Sequence, residues 1–317
     1  MAQGKPRVIG FLLIPDFGLL SYASAIEPLR AANELSDRML YRWCHLSPDG
    51  NPVCASNGVS ISPNERLEHA IGELDALFVL AGGKRILFND TATLGQLRRF
   101  ARLGRPIGGI GGGPYVLARA GLLDGYRFTL HREYALALME ELPDLDLKRS
   151  LFEVDRNRLT CSGGTTSLDM MHYFILQEHG SQLAISISDW LMQTNTRDVG
   201  QSLRLPLSER LGVKNEAVLR AVTFMETHIG APLTRDRVAG ASGVSARQLE
   251  RLFTEYLGCA PGRYYLQLRL NRARLLLRQS ALSITKVSHA CGFSSSSQFA
   301  RVYRQRLGVL PSVDRRG

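Results

Sequence analysis

The chain has 317 residues, 44% of them hydrophobic and 21% charged, a balance that suits two or three packed domains and speaks against large-scale disorder. Its 39 Lys+Arg against 29 Asp+Glu give a net charge of +10, unevenly spread: Val213–Gly317 holds 17 Lys+Arg and 6 Asp+Glu, a net +11, while the remainder stands at −1. The five scattered cysteines (Cys44, Cys54, Cys161, Cys259, Cys291), with no CxxC pair, argue against a disulfide framework or a structural zinc site, so neither metal nor cofactor is expected.

In chain order, the first 190 residues alternate short apolar runs with amphipathic segments. The N-terminus goes straight from Lys5 and Arg7 into Val8–Ile14 (VIGFLLI), which reads as a buried strand. A helix around Ser24–Leu35, a strand at Tyr41–Ser47, a strand at Ala76–Gly83, a helix around Thr91–Leu103 and the glycine-rich Pro106–Gly113 follow. Strand alternating with helix predicts an α/β domain built on a parallel sheet covered on both faces. Ser167–Gly180 and Gln182–Gln193 then read as two helices with apolar faces. No apolar run approaches the roughly 18 residues of a membrane span, so no membrane partner is expected and the cytoplasm is the expected compartment.

Thr194–Asn215 is polar and basic without clear periodicity, and is expected to be a linker. Beyond it, after a helix at Glu216–Ile229, two stretches repeat one another: LTRDRVAGASGVSARQLERLFTEYLGCAP (Leu233–Pro261) and ITKVSHACGFSSSSQFARVYRQRLGVLP (Ile284–Pro311). Val238 falls on Val287 and Gly243 on Gly292, an offset of 49. Leu249 falls on Phe299, Arg251 on Arg301, Phe253 on Tyr303, Gly258 on Gly308 and Pro261 on Pro311, an offset of 50. One residue has therefore been added in the second turn. Each copy reads as a helix-turn-helix: Asp236–Gly240, a turn at Ser242–Ser245 and Ala246–Tyr256 in the first, with Gly292 in the turn and Ser294 or Ser295 as the cap in the second. The segment Pro261–Gln279 predicts a stiff helix between them.

The inward residues are Leu249, Leu252, Phe253 and Phe299, Val302, Tyr303. Arg247, Gln248, Glu250, Arg251 and Thr254 are then left facing outward from the first copy, beside the capping Ser245, and Ser296, Ser297, Gln298, Arg301, Arg304 and Gln305 from the second, beside Ser295. Arg and Gln suit bidentate contact with guanine and adenine edges, while the serines and further arginines suit phosphates. With the +11 charge, the expected partner is double-stranded promoter DNA, entered through successive major grooves.

These two stretches and the linker helix LRLNRARLLL (Leu268–Leu277) resemble the AraC/XylS family of bacterial regulators over about 100 residues. The run Ser294–Ser297 departs from that family's pattern, where a proline or a bulkier residue is frequent.

In the first domain, IGGIGGGPYVLARAGLLDG (Ile107–Gly125) has the form of a strand, a tight turn and a helix. Many α/β enzymes hold a Ser or Cys nucleophile at such an elbow. With FTLHREY (Phe128–Tyr134) it resembles a class I glutamine-amidotransferase-like domain of PfpI type, which implies a flavodoxin-like parallel sheet, a cysteine at the elbow and a histidine at the position of His131. Gly111 occupies the nucleophile position, so no catalytic residue is expected, and Cys161 reads as a buried structural thiol. SAIEPLRAAN (Ser24–Asn33), YRWCHLSPDGNPVCASNG (Tyr41–Gly58) and SGGTTSLDMMHYFILQEHG (Ser162–Gly180) extend the similarity to the GlxA-like branch of AraC-type regulators.

That resemblance implies a transcription regulator in three parts. An amidotransferase-like sensing and dimerising domain spans 1–193, the linker 194–215 and an all-α DNA-binding domain 216–317. It further implies a homodimer that works with RNA polymerase on nucleoid DNA, usually as an activator. The implied effector is a small cationic or zwitterionic nitrogen compound, a quaternary amine or an amino acid. Its pocket would be lined by Asp16, Phe17, Glu27, Gly82, Gly83, Gly111, Gly112, Tyr115 and His131. An aromatic ring beside a carboxylate suits an ammonium group. Plain alternatives stand beside these: Glu27 pairs with Arg30 at helical spacing, Phe17 fits a core, and His131 fits a structural hydrogen bond. The rival readings are an amidotransferase or peptidase with an appended DNA-binding domain, and a ligand-independent architectural DNA protein.

Overall fold

The computed structural model describes residues 5–83, 88–193, 197–200, 207–280 and 282–315, so 194–196 and 201–206 of the expected linker lie outside the described residues. The chain forms two compact units, Met1–Leu203 and Arg204–Gly317.

The first unit runs β1 (Arg7–Leu13), α1 (Leu19–Ser36), β2 (Tyr41–Ser47), β3 (Val53–Cys54), β4 (Ser60–Ile61), β5 (Glu65–Arg66), α2 (Leu67–Ala70), β6 (Ala76–Ala81), α3 (Thr91–Ala101), β7 (Ile107–Gly111), α4 (Gly113–Arg119), α5 (Arg132–Glu141), β8 (Phe152–Asp155), β9 (Arg158–Cys161), α6 (Thr166–His179) and α7 (Ser181–Trp190). Seven strands form one sheet in the order β5-β2-β1-β6-β7-β9-β8. Every pairing is parallel except that of β8 with β9, which folds back as an antiparallel edge.

The central strand β6 shows why the sheet is covered on both sides. All six of its residues are buried, and alternate side chains enter different cores. Ala76, Phe78 and Leu80 pack with Ala25 and Leu29 of α1, Met170 and Phe174 of α6 and Ile187 of α7. Leu77, Val79 and Ala81 pack with Leu67, Leu97, Val116 and Leu138, from α2, α3, α4 and α5.

The second unit is entirely helical among its described residues: α8 (Leu207–Leu211), α9 (Glu216–Thr227), α10 (Arg235–Ser242), α11 (Ala246–Leu257), α12 (Pro261–Gln279), α13 (Ile284–Ala290), α14 (Ser296–Leu307) and α15 (Pro311–Asp314). The C-terminal part of the expected linker is ordered. Leu207 and Leu211 of α8 and the buried Val213 join the core made by Val218, Val222, Leu249 and Phe253. Three apolar residues spaced to meet α9 turn what reads as a polar connector into the first element of the helical unit.

Candidate nucleic-acid interface and elbow site

In the second unit the repeat is reproduced cap by cap. Thr234 and Ser283 occupy equivalent positions before α10 and α13, and their hydroxyls accept from the N–H groups of Arg237 and Lys286. Gly243 and Gly292 both turn the chain in the left-handed region, at φ 72° each. Ser245 and Ser295 then cap α11 and α14, accepting from Gln248 and Gln298 N–H at 3.2 Å. The extra residue falls between Gly292 and Ser295.

Leu249, Leu252 and Phe253 are buried under α11, and Phe299 and Tyr303 under α14, whereas Val302 is only partly covered. The opposite faces carry Ser245, Arg247, Gln248, Arg251, Ser295, Gln298, Arg301 and Arg304, all exposed. Among the described residues, no hydrogen bond or ion pair engages the side chain of Arg247, Arg251, Arg301 or Arg304. Ser296 is half-buried and its hydroxyl donates to Thr285 Oγ1 at 3.2 Å, tying α14 to α13. Ser294 donates to Gln298 Oε1 at 2.8 Å, which holds the amide.

The elbow lies at the C-terminal end of β7. Gly111 is left-handed at φ 66°, and its carbonyl accepts from His131 N–H at 3.0 Å, while Gly112 N–H donates to Ala81 O at 2.8 Å. The glycines of this run differ in what compels them. A Cβ on Gly113 would sit 1.8 Å from Val79 O, which no side chain can do. At Gly111 a Cβ would meet only Ala81 O, at 3.3 Å. Space therefore exists where a nucleophile would project, and glycine supplies no attacking atom.

Asp16 also adopts a left-handed conformation, φ 68°, uncommon outside glycine and concentrated at sites where structure holds the backbone in place. Close packing fixes it: ideal Cβ positions on Gly82 and Gly83 would fall 2.5 Å from Asp16 O and 2.6 Å from Asp16 Cβ. His131 caps α5, with its Nδ1 accepting from Glu133 N–H at 3.4 Å and its ring 5.6 Å from that of Tyr134. Partial burial holds the imidazole below its ordinary pKa, and Glu133 opposes the shift. Tyr134 reaches the Gly83 backbone, and its burial raises its pKa to about 12. On the other side Ser21 Oγ accepts from Gly164 N–H at 2.6 Å, and a Cβ on Gly163 would stand 3.0 Å from both Ser21 Oγ and Gly111 Cα.

Asp16, Gly82, Gly83, Gly111, Gly112 and His131 thus gather at one end of the sheet. The side chains of three further expected pocket residues turn elsewhere. Phe17 is fully buried, edge-on to Tyr22 in the α1–α6 core. Tyr115 is fully buried in the opposite core and donates to Glu141 Oε2 at 2.6 Å, because α4 turns that side chain away from the elbow. Glu27 lies half-exposed in a pair with Arg30 at 2.8 Å. Sequence reasoning missed Ser21, Tyr134, Gly163 and Gly164. The adjacent glycines in SGGTT were the one visible signal. Cys161 is fully buried 3.6 Å from Ser167 Oγ, and desolvation pushes its thiol pKa up.

Comparison with known proteins agrees with both halves. The DJ-1/PfpI family matches residues 19–177, and a helix-turn-helix domain family matches 238–317. The HTH-type transcriptional regulator GbdR of Pseudomonas aeruginosa is 43% identical over 315 residues, covering 99% of this chain and 85% of that protein. GlxA of Rhizobium meliloti, another HTH-type transcriptional regulator, is 42% identical over 309 residues, covering 97% and 95%. The crystal structure of an AraC family transcriptional regulator from Pseudomonas putida is 28% identical with a TM-score of 0.55, covering 59% of this chain and all of that one. The chain belongs to the AraC-type transcriptional regulators of the GlxA-like branch, which join a DJ-1/PfpI domain to a helix-turn-helix DNA-binding domain.

Proposed function

We propose that this regulator reads promoter DNA with α11 and α14, and that the elbow end of its first unit is a catalytically silent sensor for a small nitrogenous metabolite. The observation that carries the DNA reading is the pair of identically capped helices with exposed, unengaged arginines, Arg247 and Arg251 on one and Arg301 and Arg304 on the other. Arg251 and Arg301, at the same repeat position, suit guanine edges, while Ser245, Ser295 and Arg304 suit the backbone. The helix α12, about 28 Å long at 1.5 Å per residue, separates two readers on a scale near one turn of DNA.

For the sensor, support comes from the space at the Gly111 position and from the Asp16 carboxylate packed against Gly83 at the same end of the sheet. A site with space and a negative group but no nucleophile fits a cation or zwitterion that is held and not turned over. Homodimerisation through the first unit, contact with RNA polymerase and activation in the cytoplasm complete the reading. Effector binding would act by favouring the state with higher operator affinity.

A thermal-shift screen of quaternary amines and amino acids, followed by an operator gel shift with each hit, tests this. A hit that raises the melting temperature and changes operator affinity is expected, with loss of both effects in Asp16→Ala. Glutaminase or peptidase turnover abolished by Cys161→Ser would overturn the silent-sensor reading.

A further inference from the structure

We propose that the first unit carries a second ligand site, unrelated to the elbow: a cationic cleft that takes a dianionic phosphoryl group. The cleft, about 460 Å³, is lined by Arg98 of α3, Arg102 at its C-cap, Arg158 at the start of β9, and Ala101, Ala120, Gly121 and Leu122. Among the described residues, no carboxylate lines it. Asp155 is taken by Arg156 and by the Arg127 N–H, and Asp124 lines the neighbouring cleft, which shares Gly121 with this one, its Oδ2 3.8 Å from an ideal Cβ on that glycine.

Two of the guanidinium groups are fixed in matching fashion. Arg98 Nε donates to Ala120 O at 2.9 Å, and Arg158 Nε donates to Leu122 O at 2.7 Å. Each is tethered through Nε to a backbone carbonyl two residues from the other. Arg158 Nη1 also holds Asn157 Oδ1 at 2.9 Å, and its guanidinium lies 4.5 Å from the centre of the Tyr126 ring. Among the described residues, Nη2 of Arg158 and both terminal nitrogens of Arg98 make no hydrogen bond. Arg102 adds a third charge one helical turn along from Arg98.

Arg158 as a whole residue is 6% exposed, and an arginine so enclosed is ordinarily paired with an acid. Carbonyl dipoles and a ring face offset its charge only in part, and desolvation lowers its pKa accordingly. A dianion would complete the set, because its three outer oxygens match the free guanidinium nitrogens and its charge answers three arginines. Against three guanidinium charges a dianion leaves a net +1 and a monocarboxylate a net +2. Since Arg158 pairs with Ile107 at the opposite end of β7 from Gly111, the cleft lies about 13 Å from the elbow by strand rise and can fill independently of it.

The test is calorimetric titration of the full-length protein with inorganic phosphate and with glycerol 3-phosphate, at ionic strength matched with chloride. The basic DNA-binding faces are controlled for by repeating it in the Arg251→Ala/Arg301→Ala variant. One saturable site is expected in both proteins, with affinity falling at least tenfold in Arg98→Met/Arg102→Met. These two residues are exposed, so that variant is expected to melt as the parent does without phosphate. Tighter binding of the ester would identify an organic phosphate as occupant, and equal binding would identify free phosphate. The absence of saturable heat from either ligand, or affinity unchanged in Arg98→Met/Arg102→Met, would overturn the proposal.

Discussion

Arg220 and Arg269, 49 residues apart, perform the same task in the two halves of the DNA-binding unit. Arg220 on α9 donates through Nε and Nη2 to Ser242 O at 3.3 and 3.0 Å, at the end of α10. Arg269 on α12 donates to Cys291 O and Gly292 O at 2.7 and 2.6 Å, just past the end of α13. The duplicated unit therefore includes the preceding helix, whose arginine satisfies carbonyls that a helix end leaves open. Arg269 also lies 4.2 Å over the Phe293 ring and is half-buried, whereas Arg220 is 52% exposed in its side chain. Substituting Met for Arg269 is expected to cost about 2 to 3 kcal/mol and for Arg220 about 1 kcal/mol. Urea unfolding followed by helical circular dichroism measures both, and equal losses would show that burial does not set the difference.

Acid should loosen the end of this unit through Asp314. Its carboxylate is buried, accepts from Tyr303 Oη at 2.6 Å and Arg274 Nε at 3.0 Å, and pairs with Arg278. Burial by itself would raise its pKa, but the Tyr303 and Arg278 hydrogen bonds and the two guanidinium charges outweigh it and hold the group below the ordinary carboxylate value. With the folded pKa depressed, the stabilisation is complete above the unfolded value near 3.9 and disappears as pH falls through the folded one. Asp314→Asn is expected to lose about 3 kcal/mol at pH 7 and to show a shallower decline below pH 4. A parallel decline in variant and parent would contradict this.

Asp169 and Arg197 root the chain where it leaves the first unit. The Asp169 carboxylate is 1% exposed, lies 2.6 Å from Arg197 Nη2, and accepts from Arg197 N–H at 3.2 Å and Gln193 Nε2 at 2.8 Å. Arg197→Ala would leave that carboxylate unpaired, at a cost of about 3 kcal/mol, and adding Asp169→Asn should recover part of it. Strict additivity in the double-mutant cycle would show that the two side chains do not depend on one another.

The elbow glycines give opposite expectations for the same substitution. Gly111→Ala should fold with a loss of about 1 to 2 kcal/mol, the cost of a left-handed residue with a side chain. Gly113→Ala should lose more than about 4 kcal/mol, because its methyl would collide with Val79 O. Thermal melts of the two variants decide this, and similar losses would mean that the elbow differs from the geometry described.

What could be read in the residues followed their range of interaction. The helix-turn-helix units were legible because Thr234, Ser245, Ser283 and Ser295 cap their own helices within three residues, and left-handed Gly243, Gly258, Gly292 and Gly308 end them. Strands β1, β6 and β7 announce themselves by apolar runs, since both faces of β6 and most of β1 and β7 are buried. The two-residue strands β3, β4 and β5 are too short for any periodicity. Helix α5 begins at His131 rather than at Ser, Thr, Asp or Asn, and α8 is hidden in a polar stretch. The elbow partners were hidden for another reason: Ser21 meets Gly164 across 143 positions, and only the folded sheet brings them together. Glu27 and Tyr115 carry suitable chemistry, but α1 and α4 turn one to a local arginine and the other into the core.

The most direct test of the central claim is a footprint and competition titration of the full-length protein on the promoters flanking its gene, at moderate ionic strength with excess random duplex. The account predicts protection of two major-groove tracts about one helical turn apart, with Arg251→Ala and Arg301→Ala each weakening binding by roughly 1 to 3 kcal/mol and each erasing contacts in a different tract. Affinity equal to that for random duplex, or a footprint unchanged in both variants, would contradict it.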